Sequence, residues 1–129
     1  MSYYFSKVLP TSFDEALQKV TDALTEKGMG VMTEIDVDKA FKKKLDVDFR
    51  RYKILGACHA PTAYKILQAD DKGGALFPCN VVVQELEPGR VEVSAVNPTA
   101  MFQPIDHPDA KQVAAEAAEM VRSVIDSLA

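Results

Sequence analysis

Pro78-Cys79-Asn80-Val81-Val82-Val83, running on through Gln84-Glu85-Leu86-Glu87 to Pro88-Gly89-Arg90 and then Val91-Glu92-Val93-Ser94-Ala95, is the stretch on which the fold turns. Residues 75–87 read as one long strand, and the three valines at its centre predict burial on both faces. Pro78 has no N–H to give to a ladder, so it marks an edge position or bulge just before Cys79. Glu87-Pro88-Gly89-Arg90 is a tight turn, with Pro and Gly supplying the dihedrals. Beyond it Val91, Val93 and Ala95 alternate with Glu92 and Ser94, the pattern of a half-buried strand hairpinned to the one before. That hairpin makes at least one strand pair antiparallel.

Upstream, residues 3–9 are β-prone and stop at Pro10. Ser12-Phe13-Asp14-Glu15 has the capping-box form, with Ser at the N-cap and Glu three residues on. Phe13, Ala16, Leu17, Val20 and Leu24 then recur at helical spacing until Gly28 ends the helix. Val31–Ile35 reads as a second strand. Asp36 caps a short helix through Leu45 whose buried side is Val37, Ala40, Phe41 and Leu45, and Lys42-Lys43-Lys44 is its solvated end. Arg51–Cys58 is a third strand, followed by a helix with Pro61 at its first position and Ala63, Ile66 and Leu67 along it. After the hairpin come Pro98 and Pro104. Asp106 and Pro108 open a last helix with the apolar face Val113, Ala117, Met120, Val121, Val124 and Leu128.

The order β-α-β-α-β-α-β-β-α admits a parallel α/β layer or an α+β sandwich. The hairpin favours α+β: a two-layer sandwich with a mixed, mostly antiparallel sheet and helices packed on one face. Burial of all three valines would require a cover on the other face, from a loop, the short helices or a second subunit.

Composition bounds the function. The 129 residues suit a single domain, 1–129, able to bury about two-thirds of its unfolded surface without disulfide or metal. With 47% hydrophobic and 26% charged residues the chain has an ordinary globular composition. A net charge of −4 and a pI near 5.1 argue against a nucleic-acid partner, which calls for a basic surface. The apolar runs fall far short of the ~20 residues that span a bilayer, and the start has no leader pattern. The expectation is a cytoplasmic protein, without a membrane partner, whose Cys58 and Cys79 are thiols.

Three clusters stand out as candidate chemistry: Cys58-His59 at one strand end, Pro78-Cys79-Asn80 in another strand, and Glu34-Ile35-Asp36 closing a third. Polar groups gathered at strand ends beside helix starts are a common form of ligand site. Glu34, Asp36, Cys58, Cys79 and Asn80 are therefore the candidate ligand-binding residues, and Cys58 and Cys79 the candidate catalytic ones. Cys58 precedes the Pro61 helix, whose unpaired N–H groups favour a thiolate or bound anion. The competing reading is a pair of small buried hydrophobes. A zinc or copper set would draw on Cys58, His59, Cys79 and His107, but their spacing fits no finger or ribbon. Asp36-Val37-Asp38 fails as a calcium loop because Phe41 stands where Gly is needed and Val47 where Glu is needed. A cysteine hydrolase would pair Cys58 or Cys79 with His59 or His107. No phosphate-loop, dinucleotide, nucleophile-elbow or zincin motif appears, so neither cofactor nor metal is expected.

Thr33-Glu34-Ile35-Asp36-Val37, then Tyr52-Lys53-Ile54-Leu55-Gly56-Ala57-Cys58 with Pro61, then Pro78-Cys79-Asn80-Val81-Val82-Val83, resembles the domain of unknown function 302 family. The likeness runs from about Gly28 to Asn97, with a compatible start and end. It implies a small bacterial or archaeal α+β protein of TATA-binding-protein-like layout, often a homodimer, and supplies no activity. The family's characteristic positions fall on Glu34, Asp36, Gly56, Cys58, Pro61, Pro78, Cys79 and Asn80. His59 stands where members commonly have Asn, and Asp46 where they often have Gly, which weakens any obligatory role for His59. The resulting expectation is a homodimeric small-ligand-binding module with its pocket near the two cysteines. The alternatives are a thiol-based redox or transfer enzyme and a metal-binding protein.

Overall fold

Alternation decides the sheet. In the computed structural model, which describes residues 2–129, Val91, Val93 and Ala95 are all buried while Glu92 and Ser94 point away. The strands are β1 (Tyr4–Leu9), β2 (Gly30–Asp36), β3 (Tyr52–Cys58), β4 (Cys79–Glu87) and β5 (Arg90–Val96). They form one sheet in the order β1-β5-β4-β3-β2, and every pairing is antiparallel. The fold is α+β as expected, with a sheet more uniform than the mixed one expected. The hairpin turn sits where the sequence puts it, with Gly89 at φ 80°.

The helices are α1 (Phe13–Glu26), α2 (Val37–Leu45), α3 (Ala60–Ala69), α4 (Pro98–Met101) and α5 (Pro108–Ser127). Ser12 caps α1 by accepting from the Glu15 N–H. Phe13, Ala16, Val20 and Leu24 of α1 join Val121, Val124 and Leu128 of the C-terminal end against Leu55, Val81, Val83 and Val93 of the sheet. A second cluster, Ile66, Phe102, Ile105, Ala110 and Val113, packs α3 and α4 onto α5. No helix among the described residues is long and apolar enough to cross a membrane.

Five local expectations give way to the geometry. The strand expected over 75–87 begins only at Cys79, because residues 73–76 wind into a 3-10 turn that the Phe77 N–H closes onto the Gly74 carbonyl. Val82 is not buried like its neighbours: Val81 and Val83 face the helices and Val82 the other side, as a period of two requires. The α2 helix forms, yet it has no buried residue, and Leu45 is 65% exposed. Asp36 gives α2 no side-chain cap, and α5 is capped by His107, whose Nδ1 accepts from the Asp109 N–H at 3.1 Å, rather than by Asp106.

The face of the sheet away from α1 and α5 is left bare. One register row runs Ser6, Ser94, Val82, Ile54, Ile35 across all five strands. Tyr4, Val8 and Ile35 on that side are exposed. An aromatic run, Phe41 to Phe49 to Tyr52, with ring centroids 5.3 and 5.9 Å apart, extends this surface toward α2.

Candidate functional site

Cys58 ends β3 and Cys79 begins β4, and the antiparallel register sets Ala57 opposite Cys79. Adjacent strands thus bring together two residues 21 positions apart in the chain. Both are free thiols, partly buried, and both line a cavity of about 30 Å³ on the helix side of the sheet. Its walls include Met29, Phe77, Pro78, Phe102 and Met120. Phe77 and Phe102 meet edge to face at 5.9 Å. A space of this size holds about one water-sized group.

The close fit of β3 against the start of β4 depends on a missing side chain. A Cβ on Gly56 would lie 2.5 Å from Pro78 Cγ and 2.1 Å from Thr33 Oγ1. The Phe77–Pro78 peptide bond is cis. Gly56 and Pro78, two of the positions singled out by the family resemblance, are therefore halves of one contact.

The Cys79 thiol is pushed up from 9.0 to about 11, first by burial and then by the charge of a Cys58 thiolate. At neutral pH it is a protonated thiol and a poor nucleophile. His59, at the start of α3, holds its Nδ1 2.8 Å from Thr62 Oγ1 and lines the same cavity. His107 does not join it. That ring caps α5 and borders a separate groove between α3 and α5 with Lys65 and Glu116. The four-residue zinc or copper set considered from the sequence is thereby split, and among the described residues no three His, Cys, Asp or Glu side chains converge on one point.

The remaining candidates lie elsewhere. Glu34 and Asp36 sit toward the other end of β2, opposite Leu55 and Lys53, three and five residues before Cys58, so about 10 and 16 Å along the strand at ~3.3 Å per residue. There Lys53 Nζ lies 3.8 Å from Glu34 Oε1 and 3.5 Å from Asp36 Oδ1. The Lys53 side chain is only 18% exposed, so this paired charge is partly withdrawn from water. Asn80 belongs to the bare sheet face, where it borders a groove of about 400 Å³ with Tyr4, Tyr52, Gln84 and Ser94. Of the five candidate residues, the structure brings Cys58 and Cys79 together and separates the other three from them.

Sequence reasoning gave Met29 no role and placed Met120 only on a helix face. Nothing in a single sequence signals that a residue before β2 and one in α5 meet the same cavity. The tyrosine groove was missed too, although the alternation Asn80, Val82, Gln84 carried the hint that one face of β4 stays open.

The solved structure of an uncharacterized conserved DUF302 protein from Bacillus stearothermophilus is similar over the whole length of both chains, with a TM-score of 0.90 at 22% identity. That likeness speaks for the fold. No curated protein matches the chain. The family model for DUF302, a domain of unknown function, matches residues 5–128. This match, over nearly the whole chain, shows that the chain belongs to the DUF302 family.

Proposed function

We propose that this protein is a homodimeric small-ligand-binding module whose pocket lies beside Cys58 and Cys79. The observation that carries the reading is the shared cavity: the two cysteines, from neighbouring strands, line one partly open space walled by Phe77, Pro78 and Phe102. Pockets of this type combine apolar walls with a few placed polar groups. Met29 and Met120 give the walls adaptable side chains that let the space enlarge around a guest. The dimer is supported by the bare sheet face, where Tyr4, Val8 and Ile35 stand exposed beside half-buried Val82. An apolar surface of that kind is the usual mark of an interface.

The thiol-transfer alternative narrows to Cys58, since Cys79 holds its proton to about pH 11. Native mass spectrometry of protein purified gently from its own cells, with a thermal-shift screen of a metabolite library, tests the leading reading. A dimer mass carrying a small adduct, and a stabilising hit in the screen, are the expected results. A ligand-free monomer with no shift from any compound would overturn it.

A further inference from the structure

We propose that the cavity between Cys58 and Cys79 is a binding site for a soft monovalent metal ion, Cu(I), held by the two sulfurs. The inference rests on the reading of this cavity as the ligand site and names its guest. Both cysteines of the chain and two of its five methionines line this one space. They come from separate places: Met29 precedes β2, Cys58 ends β3, Cys79 starts β4 and Met120 belongs to α5. The fold thus lines about 30 Å³ with four sulfur-bearing residues, room for an ion as it stands, whereas a larger guest would need the walls to move.

The donor set selects the metal. Thiolate and thioether ligands are soft and favour Cu(I), whereas a structural zinc takes four donors from Cys, His or carboxylate. His59 lines the cavity too, but its Nδ1 is engaged with Thr62 Oγ1, and no three His, Cys, Asp or Glu side chains converge among the described residues, so a four-donor divalent site is not assembled. Two thiolates suffice for Cu(I), with a methionine sulfur as a weak further contact. Phe77, Pro78 and Phe102 give the site apolar walls, which cost a soft, weakly hydrated ion little. Binding is a ligand exchange without electron transfer: each S–H gives its proton to solvent, two Cu–S bonds form, and copper stays Cu(I).

The test is an anaerobic titration of the full chain, supplied with Cu(I) in competition with the chromogenic chelator bicinchoninate. One Cu(I) per chain is expected to leave the chelator. Cys58→Ser and Cys79→Ser are expected to weaken capture by more than about 100-fold, and Met120→Leu by about 10-fold, a range typical of supporting partners. Met32→Leu, at a position 70% exposed and outside the cavity, should leave it unchanged. X-ray absorption at the copper edge of the loaded wild-type chain, which needs no variant to fold, should show sulfur alone around the metal. Failure to take Cu(I) from the chelator, an oxygen or nitrogen shell, or serine variants that bind as well as wild type would each overturn the proposal. Equal capture of Zn(II) would do the same. If Cu(I) fails while an organic compound still raises the melting temperature, this inference falls and the binding-module reading stands. If neither binds, both fall.

Discussion

Cys79 shows how one residue's surroundings set its chemistry. Withdrawn from water and facing a second cysteine, its thiol is raised to about 11, because both effects penalise the thiolate. At pH 8.5 its thiolate fraction is about 100-fold below that of an ordinary thiol. Iodoacetamide followed by peptide mass spectrometry should therefore label Cys79 about 100-fold more slowly in the folded protein than in urea. The sign for stability follows from the same shift. The thiol costs nothing below pH 9, where it is protonated in both states. As pH rises from 9.0 to about 11 the unfolded chain ionises first and the fold loses stability. Lys53 shows geometry instead: its partly covered ammonium lies between Glu34 and Asp36, where removing a partner leaves the other groups to be solvated anew.

At the scale of elements, β3 and β4 meet across Gly56 and Pro78. Gly56→Ala puts a methyl group 2.5 Å from a proline ring that cannot rotate away. Overpacking of this kind costs about 1–3 kcal/mol, readable as a lower urea midpoint, while Gly30→Ala, with nothing within 4 Å of the new carbon, is the tolerant control. The elements themselves were legible wherever a local signal matched the tertiary outcome: the Ser12 cap, the Pro88-Gly89 turn, and the alternation of Val91, Val93 and Ala95. The apolar spacing of α2 was legible too, but how far a helix is covered is a property of the assembled layers, and α2 rests against Phe49 and β3 without burying any residue. The start of β4 was misread because the residues before it wind into a 3-10 turn that propensity does not reveal. Of the candidate site, the two cysteines were visible as motif positions. Their shared cavity was not, since it depends on strand register, and neither was the separation of Asn80 onto the other face.

For the whole molecule the governing fact is a sheet with one covered and one bare face. Val82 lies at the centre of the bare one, flanked in register by Ser94 and Ile54. A charge there should not disturb the core, because Val81 and Val83 carry the packing. Val82→Glu is therefore expected to keep the wild-type far-ultraviolet circular dichroism while converting the proposed dimer to monomer in sedimentation equilibrium. A wild-type chain already monomeric at high concentration would remove the dimer from the proposed function. The strand order has a further consequence, for the chain as it is made. The partner of Leu9 is Val91, so at synthesis rates of about 5–20 residues per second β1 waits several seconds for its neighbour. Throughout that interval Tyr4, Phe5 and Val8 emerge with an unpaired backbone edge, open to any extended chain nearby. The first of the five strands in chain order is thus among the last to be secured, and a nascent chain stalled before β5 would expose it as a seed for aggregation.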